Sequence, residues 1–242
     1  MLDHIKNEDV LFLDIETVPQ YTEFENSPAI YQKLWEKKVK NLRDNTGDET
    51  PSGLYQRAGI YAEFGKIICI SVGLIKVQDN EKVLRLKSFY GDDEKQLLME
   101  FIDMLNRFSG KKDVVLCAHN GKEFDYPYLA RRILINELKL PRMLDMAGKK
   151  PWEVPHLDTL ELWKFGDYKS YTSLELLTSV MGIESPKQDI DGSMVAHVYY
   201  IEKDLRRIVD YCENDTLAVA RLFLRFKGEE PLKPENIESV TT

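Results

Sequence analysis

The order and spacing of its apolar segments constrain this chain more than any other feature. Val10 to Ile15, Lys66 to Ile75 and Lys82 to Phe89 are short runs rich in Ile, Val and Leu, each of strand length. Gln78-Asp79-Asn80, between the last two, predicts a hairpin turn. Asp92 and Asp93 then precede Leu97, Leu98, Phe101, Ile102, Leu105 and Phe108, a helical spacing with acids at the end where the helix dipole favours them. Asp113 to Ala118 reads as a fourth strand, and a helix follows from about Tyr128 to Leu138. His156 to Trp163 is compatible with strand or helix. Thr172-Ser173-Leu174-Glu175 fits a capping box, predicting a helix over Thr172 to Met181 that Gly182 ends. Asp204 to Phe226 predicts a long last helix. Three strands, a helix, a strand, a helix and a helical end make an α/β fold, a mixed sheet with helices on its faces.

With 242 residues, 43% of them hydrophobic, the chain can bury one real core, and we read residues 1–242 as a single domain. Residues 20–64 are too many for a connection between the first two strands and read as an insertion within it. Ser27-Pro28 would start a helix through Ile30, Leu34, Trp35 and Leu42. Its other face would carry Lys33, Lys37, Lys38, Lys40 and Arg43, a solvated side or a guide for a phosphate backbone. Asn45 to Gly53 reads as a loop and 228–242 as a flexible tail. No apolar run is long enough to span a bilayer, and Met1 to Glu8 does not resemble a secretory signal. Cys69, Cys117 and Cys212 sit singly in apolar surroundings, which argues for a reducing compartment; a cytoplasmic protein is expected. A net charge of −8 does not suit broad, non-specific contact with duplex nucleic acid. It is compatible with a carboxylate cluster that bound cations neutralise.

Three segments carry candidate chemistry. In Asp14-Ile15-Glu16 at the end of the first strand, residues two apart face the same side, so both carboxylates emerge together. Such a pair repels unless a divalent cation compensates, and oxygen ligands suit Mg²⁺ or Mn²⁺; a solvated strand end is the bland alternative. Between Cys117 and Tyr128 a strand leads through a polar loop into a helix, with Asp125 near its start, where a plain cap is the alternative. Phe124 beside it is either core or a wedge against a base, and Tyr126 is a second aromatic candidate. Tyr211 and Asp215 on the last helix are four apart and share a face. Asp158 reads as a helix cap or a fifth acid, and Lys187 and Asp189 as substrate contacts or a loop turn. Trp35, Trp152 and Trp163 read as packing residues.

Together, Leu13-Asp14-Ile15-Glu16-Thr17, Asn120 to Asp125 and Tyr211-Cys212-Glu213-Asn214-Asp215 resemble the three exonuclease motifs of the DEDD superfamily. The tyrosine, with three residues between it and the last acid, matches its DEDDy branch. The wording is most similar to the proofreading domain of family B DNA polymerases and its predicted stand-alone relatives, which Glu63 to Ser71 and Ile190 to Ser193 also resemble. The resemblance implies a ribonuclease H-like mixed five-stranded sheet flanked by helices, with a helical insertion after the first strand. It implies a 3′→5′ exonuclease acting on the 3′ end of single-stranded nucleic acid, with DNA favoured and RNA left open, and with two divalent cations. Asp14 would bridge both, Glu16 and Asp215 would complete one site, Asp125 would hold the second, and Tyr211 would orient the water. Thr17, Asn120 and Phe124, inside the same motifs, are the candidates for substrate contact. An RNA exonuclease of the same fold and an inactive nucleic-acid-binding or scaffold domain are the competing readings. Thr216 after Asp215 and the long insertion depart from the pattern.

Overall fold

A computed structural model describes residues 2–241 apart from 41, 43–49, 79–80, 112, 168, 170 and 184–188. A six-stranded sheet runs in the order β5-β4-β1-β2-β3-β6. Its strands are β1 (Val10–Pro19), β2 (Gly65–Gln78), β3 (Glu81–Tyr90), β4 (Val115–Ala118), β5 (Leu157–Asp158) and β6 (Ile237–Ser239). The first three form an antiparallel meander, whereas β4 and β5 join β1 in parallel, so the sheet is mixed and its flanking helices give the ribonuclease H-like arrangement. Asp79 and Asn80 of the expected turn lie outside the described residues, but the hairpin they join is present in full register from Cys69↔Tyr90 to Gln78↔Glu81.

β1 is central and buried on both sides, which is why it reads as a continuous apolar run. Leu11, Leu13 and Ile15 pack with α2 (Glu94–Phe108) and α3 (Asp125–Ile135). Val10 and Phe12 face α7 (Leu205–Lys227), which follows the short α6 (Val195–His197), and the Phe12 and Phe223 rings meet edge to face at 5.3 Å. The same alternation turns Asp14 and Glu16 towards α7. A bulge between Glu16 and Thr17 then shifts the register against β2; bulges commonly re-aim side chains beside active sites. Asp204 caps α7 by accepting from the Arg207 amide, and Gly228, at φ +71°, closes it in a left-handed turn.

Several details of the sheet and its flanking helices differ from, or sharpen, what the sequence leads one to expect. The sheet has six strands because Ile237–Ser239 pairs in parallel with β3, so the segment expected as a flexible tail is tied down there. α3 begins at Asp125, three residues early, because Pro127 is tolerated in a first turn. His156 to Trp163 is both things in turn: two residues of strand, then α4 (Thr159–Lys164). The helix α5 (Leu174–Val180) is capped by Ser173, not Thr172, through the Leu176 amide.

Residues 20–64 include α1 (Ala29–Val39) and a 3-10 turn, Tyr55–Ile60, and they build a small core of their own from Trp35, Val39, Leu54, Tyr55 and Ala58. Trp35 is wholly buried and donates Nε1–H to the Pro51 carbonyl at 2.7 Å. Ile30 and Leu34, expected inward, are exposed, since Trp35 and Val39 define the buried side. Lys33, Lys37, Lys38 and Lys40 are exposed as expected, while Arg43 and most of the Asn45–Gly53 loop lie outside the described residues. Trp152 is exposed rather than packed. No helix among the described residues is long and apolar enough to cross a membrane.

Candidate active site

Three elements converge at the end of β1. That strand supplies Asp14 and Glu16, the first residue of α3 supplies Asp125, and α7 supplies Tyr211 and Asp215 one turn apart. Asp14 is pushed well up from the ordinary carboxylate range, first by burial and then by the charges of Glu16, Asp215 and Asp125. Glu16 moves the same way, by burial first and then chiefly by Asp215. Asp125 is pushed up to about 8 by burial, with Asp158 and Asp215 adding to it, while its own amide and that of Ile15 hold it down. The mutual repulsion places all four acids in one neighbourhood. Tyr211 is hydrogen-bonded to Asp215, and burial followed by Asp215, Glu16 and Asp14 pushes its hydroxyl far up.

Buried acids that raise one another are costly unless protonated or bridged by cations. The donor set is carboxylate oxygen, which suits hard divalent ions. A thiol adjoins that set: possible ligand atoms of Asp14, Glu16 and Cys212 lie within 4.8 Å of one another. The Cys212 thiol donates to Asp14 Oδ2 at 3.3 Å and is hydrogen-bonded to Cys69, so these two cysteines are not simple apolar packing. Cys212 stands three residues before Asp215 on a helix, a spacing that would have marked it as a neighbour.

Asp14, Tyr211 and Asp215 open onto a cleft of about 800 Å³ that His119, Tyr171 and Met194 also line. His119 is kept below its usual range by burial and bonds Thr159 and the Thr172 carbonyl; the exposed Tyr171 ring stands edge-on to it at 6.3 Å. Burial and the charges of Asp125 and Asp158 raise the Tyr171 hydroxyl. Nothing in the sequence around Tyr171 signals this position.

Asp158 is both a cap and a brace. Its Oδ1 accepts from the Leu160 and Asn120 amides at 2.9 and 3.0 Å, and its Oδ2 from the Lys122 amide at 3.1 Å. It thereby fixes the loop leading into Asp125. Asn120 takes a left-handed backbone there, φ +60°. Thr17 is hydrogen-bonded to Tyr128, and Phe124 packs on the Tyr128 ring at 5.3 Å. Glu16, Thr17 and Phe124 meet in a second cavity of about 430 Å³. Tyr126 does not join them: it is wholly buried and donates to the Leu157 carbonyl at 2.7 Å. Asp189 is paired with Arg207 at 2.8 Å and Asp191 with the Ser193 amide at 2.8 Å, while Lys187 lies outside the described residues.

A family described as "predicted 3′-5′ exonuclease related to the exonuclease domain of PolB" matches residues 60–238. The match takes in Asp125, Tyr211 and Asp215 and leaves Asp14 and Glu16 outside. No curated protein matches the chain significantly.

Proposed function

The chain belongs to the family of predicted 3′-5′ exonucleases related to the exonuclease domain of PolB, and we propose that it is a DEDDy-type enzyme hydrolysing single-stranded DNA from its 3′ end. The observation that carries this reading is the convergence of Asp14, Glu16, Asp125, Asp215 and Tyr211 at the edge of an open cleft. Asp14, Glu16, Asp125 and Asp215 would hold two divalent cations, Mg²⁺ or Mn²⁺, which when bound supply water activation and stabilisation of the leaving 3′ oxygen.

The chain's own groups do the rest. Tyr211, with its hydroxyl proton held tightly, orients the attacking water by hydrogen bonding and does not act as a base. Asp158 keeps the Asn120–Lys122 loop in place and so sets where Asp125 stands. Phe124 offers a flat apolar surface beside Glu16 on which a terminal base can stack. The relation to a polymerase exonuclease domain supports DNA over RNA. Three free thiols support a reducing, cytoplasmic setting.

The test is incubation of the protein with 3′- and 5′-labelled single-stranded DNA and RNA in Mn²⁺, Mg²⁺ or chelator. Release of mononucleotides from the 3′ end, dependent on the cation, is expected, with RNA cut more slowly. Equal turnover by an Asp14→Ala, Asp215→Ala double variant would overturn the assignment.

A further inference from the structure

The second cavity has a wall that the three motifs do not supply. Beside Glu16, Thr17 and Phe124 it is lined by Gln56, Arg57, Gly59 and Ile60, all from the 3-10 turn of the 20–64 insertion, and by Gly192 and Ser193. This turn is held rigidly against β1. A Cβ on Gly59 would come within 3.1 Å of the Val18 carbonyl carbon and 3.2 Å of the Pro19 nitrogen, so the two backbones touch. The Gly59 carbonyl accepts from Tyr128 Oη at 2.7 Å, and a Cβ on Gly65 would stand 2.3 Å from that same oxygen. Tyr55, Ala58 and Gly59 are buried, yet Ile60, the next residue, is 50% exposed. An apolar side chain presented on a fixed turn, in a cavity shared with Glu16 and a half-buried aromatic ring, is a surface for an apolar face of a ligand.

Resting on the exonuclease reading above, we propose that the insertion is a substrate-binding element of this enzyme: Ile60, which lines the same cavity as the motif residue Phe124, forms the apolar wall for the nucleobase of the 3′-terminal nucleotide, with Gln56 beside it. The occupant is a nucleoside 5′-phosphate unit, because the cavity is lined both by Glu16, from the acid cluster where the scissile phosphate must lie, and by the apolar Ile60 and Phe124.

Two chromogenic phosphodiesters separate the parts. The p-nitrophenyl ester of thymidine 5′-monophosphate carries a base, and bis(p-nitrophenyl) phosphate carries none. With Mn²⁺ and the full chain, Ile60→Glu is expected to raise KM for the nucleotide ester about 10-fold, and Ile60→Ala by less. Turnover of the base-free ester should be unchanged in both. If neither variant alters KM for the nucleotide ester, or if both esters suffer alike, the insertion does not hold the base, although the nuclease reading stands. If the unaltered protein hydrolyses neither ester nor any oligonucleotide, the nuclease reading falls and this proposal with it.

Discussion

Replacing Asp125 by asparagine is expected to flatten the pH dependence of stability of the metal-free protein. Asp125 is almost fully buried, and burial, aided by Asp158 and Asp215, pushes its carboxyl from 3.8 to about 8. The folded chain therefore keeps a proton that the unfolded chain releases near pH 4. Stability from this group is fully present below that pH and is lost as pH rises towards 8. At about 1.4 kcal/mol per pH unit, raising the pH from about 5.5 to about 8 costs about 3 kcal/mol. For a chain of this size that corresponds to a fall in Tm of about 6–12 °C. Asp14 and Glu16, raised by burial in the same sense, steepen the slope further. Scanning calorimetry in chelator should show the decline in the wild type, a shallower one in Asp125→Asn, and recovery of the wild type at about pH 8 on adding Mn²⁺. A metal-free wild type equally stable at both ends, or identical slopes in the two proteins, would refute the idea that this carboxyl is destabilised by its surroundings.

Other perturbations are as direct. Tyr211→Phe should lower kcat on the order of 10²-fold with KM unchanged, since it removes an orienting hydroxyl and leaves the carboxylates; steady-state kinetics on single strands checks it. Arg132→Met strips Glu94, buried at the head of α2, of its ion-pair partner and should cost about 3–5 kcal/mol in denaturant unfolding. Glu213→Ala removes the acceptor shared by Ser88 at 2.9 Å, Ser239 at 3.1 Å and Thr241, so amide exchange over Ile237–Ser239 should accelerate selectively. Trp35→Ala should cost about 3–5 kcal/mol locally and open residues 20–64 to limited proteolysis, leaving the sheet intact.

The parts of the site that follow from backbone periodicity were legible in the sequence. Period two put Asp14 and Glu16 on one side of a strand, and a helical turn put Tyr211 with Asp215. What depended on long-range packing was not. The bulge after Glu16 leaves no mark in the residue types on either side of it. The pairing of Cys69 with Cys212 arises because β2 and α7 meet beneath Asp14, and neither local context announces it. β6 has three residues, none of them buried, so its apolar content was too small to register. In α1 the burial of one indole overrode the face suggested by Ile30 and Leu34, since its partners lie at Pro51, Tyr55 and Phe64. Tyr171 reaches the cleft from a short connection with no periodicity to read.

The crowding of acids at the end of β1 also sets an order of events. The bare cluster holds protons at Asp14, Glu16 and Asp125, so cations that settle there must displace them, and loading weakens as the pH falls. Two divalent cations balance four ionised carboxylates, so only the loaded site offers a phosphate cationic partners without net repulsion. Ion supply would then govern capture as well as cleavage, and a protein stripped of its ions would leave nucleic acid alone rather than sequester it.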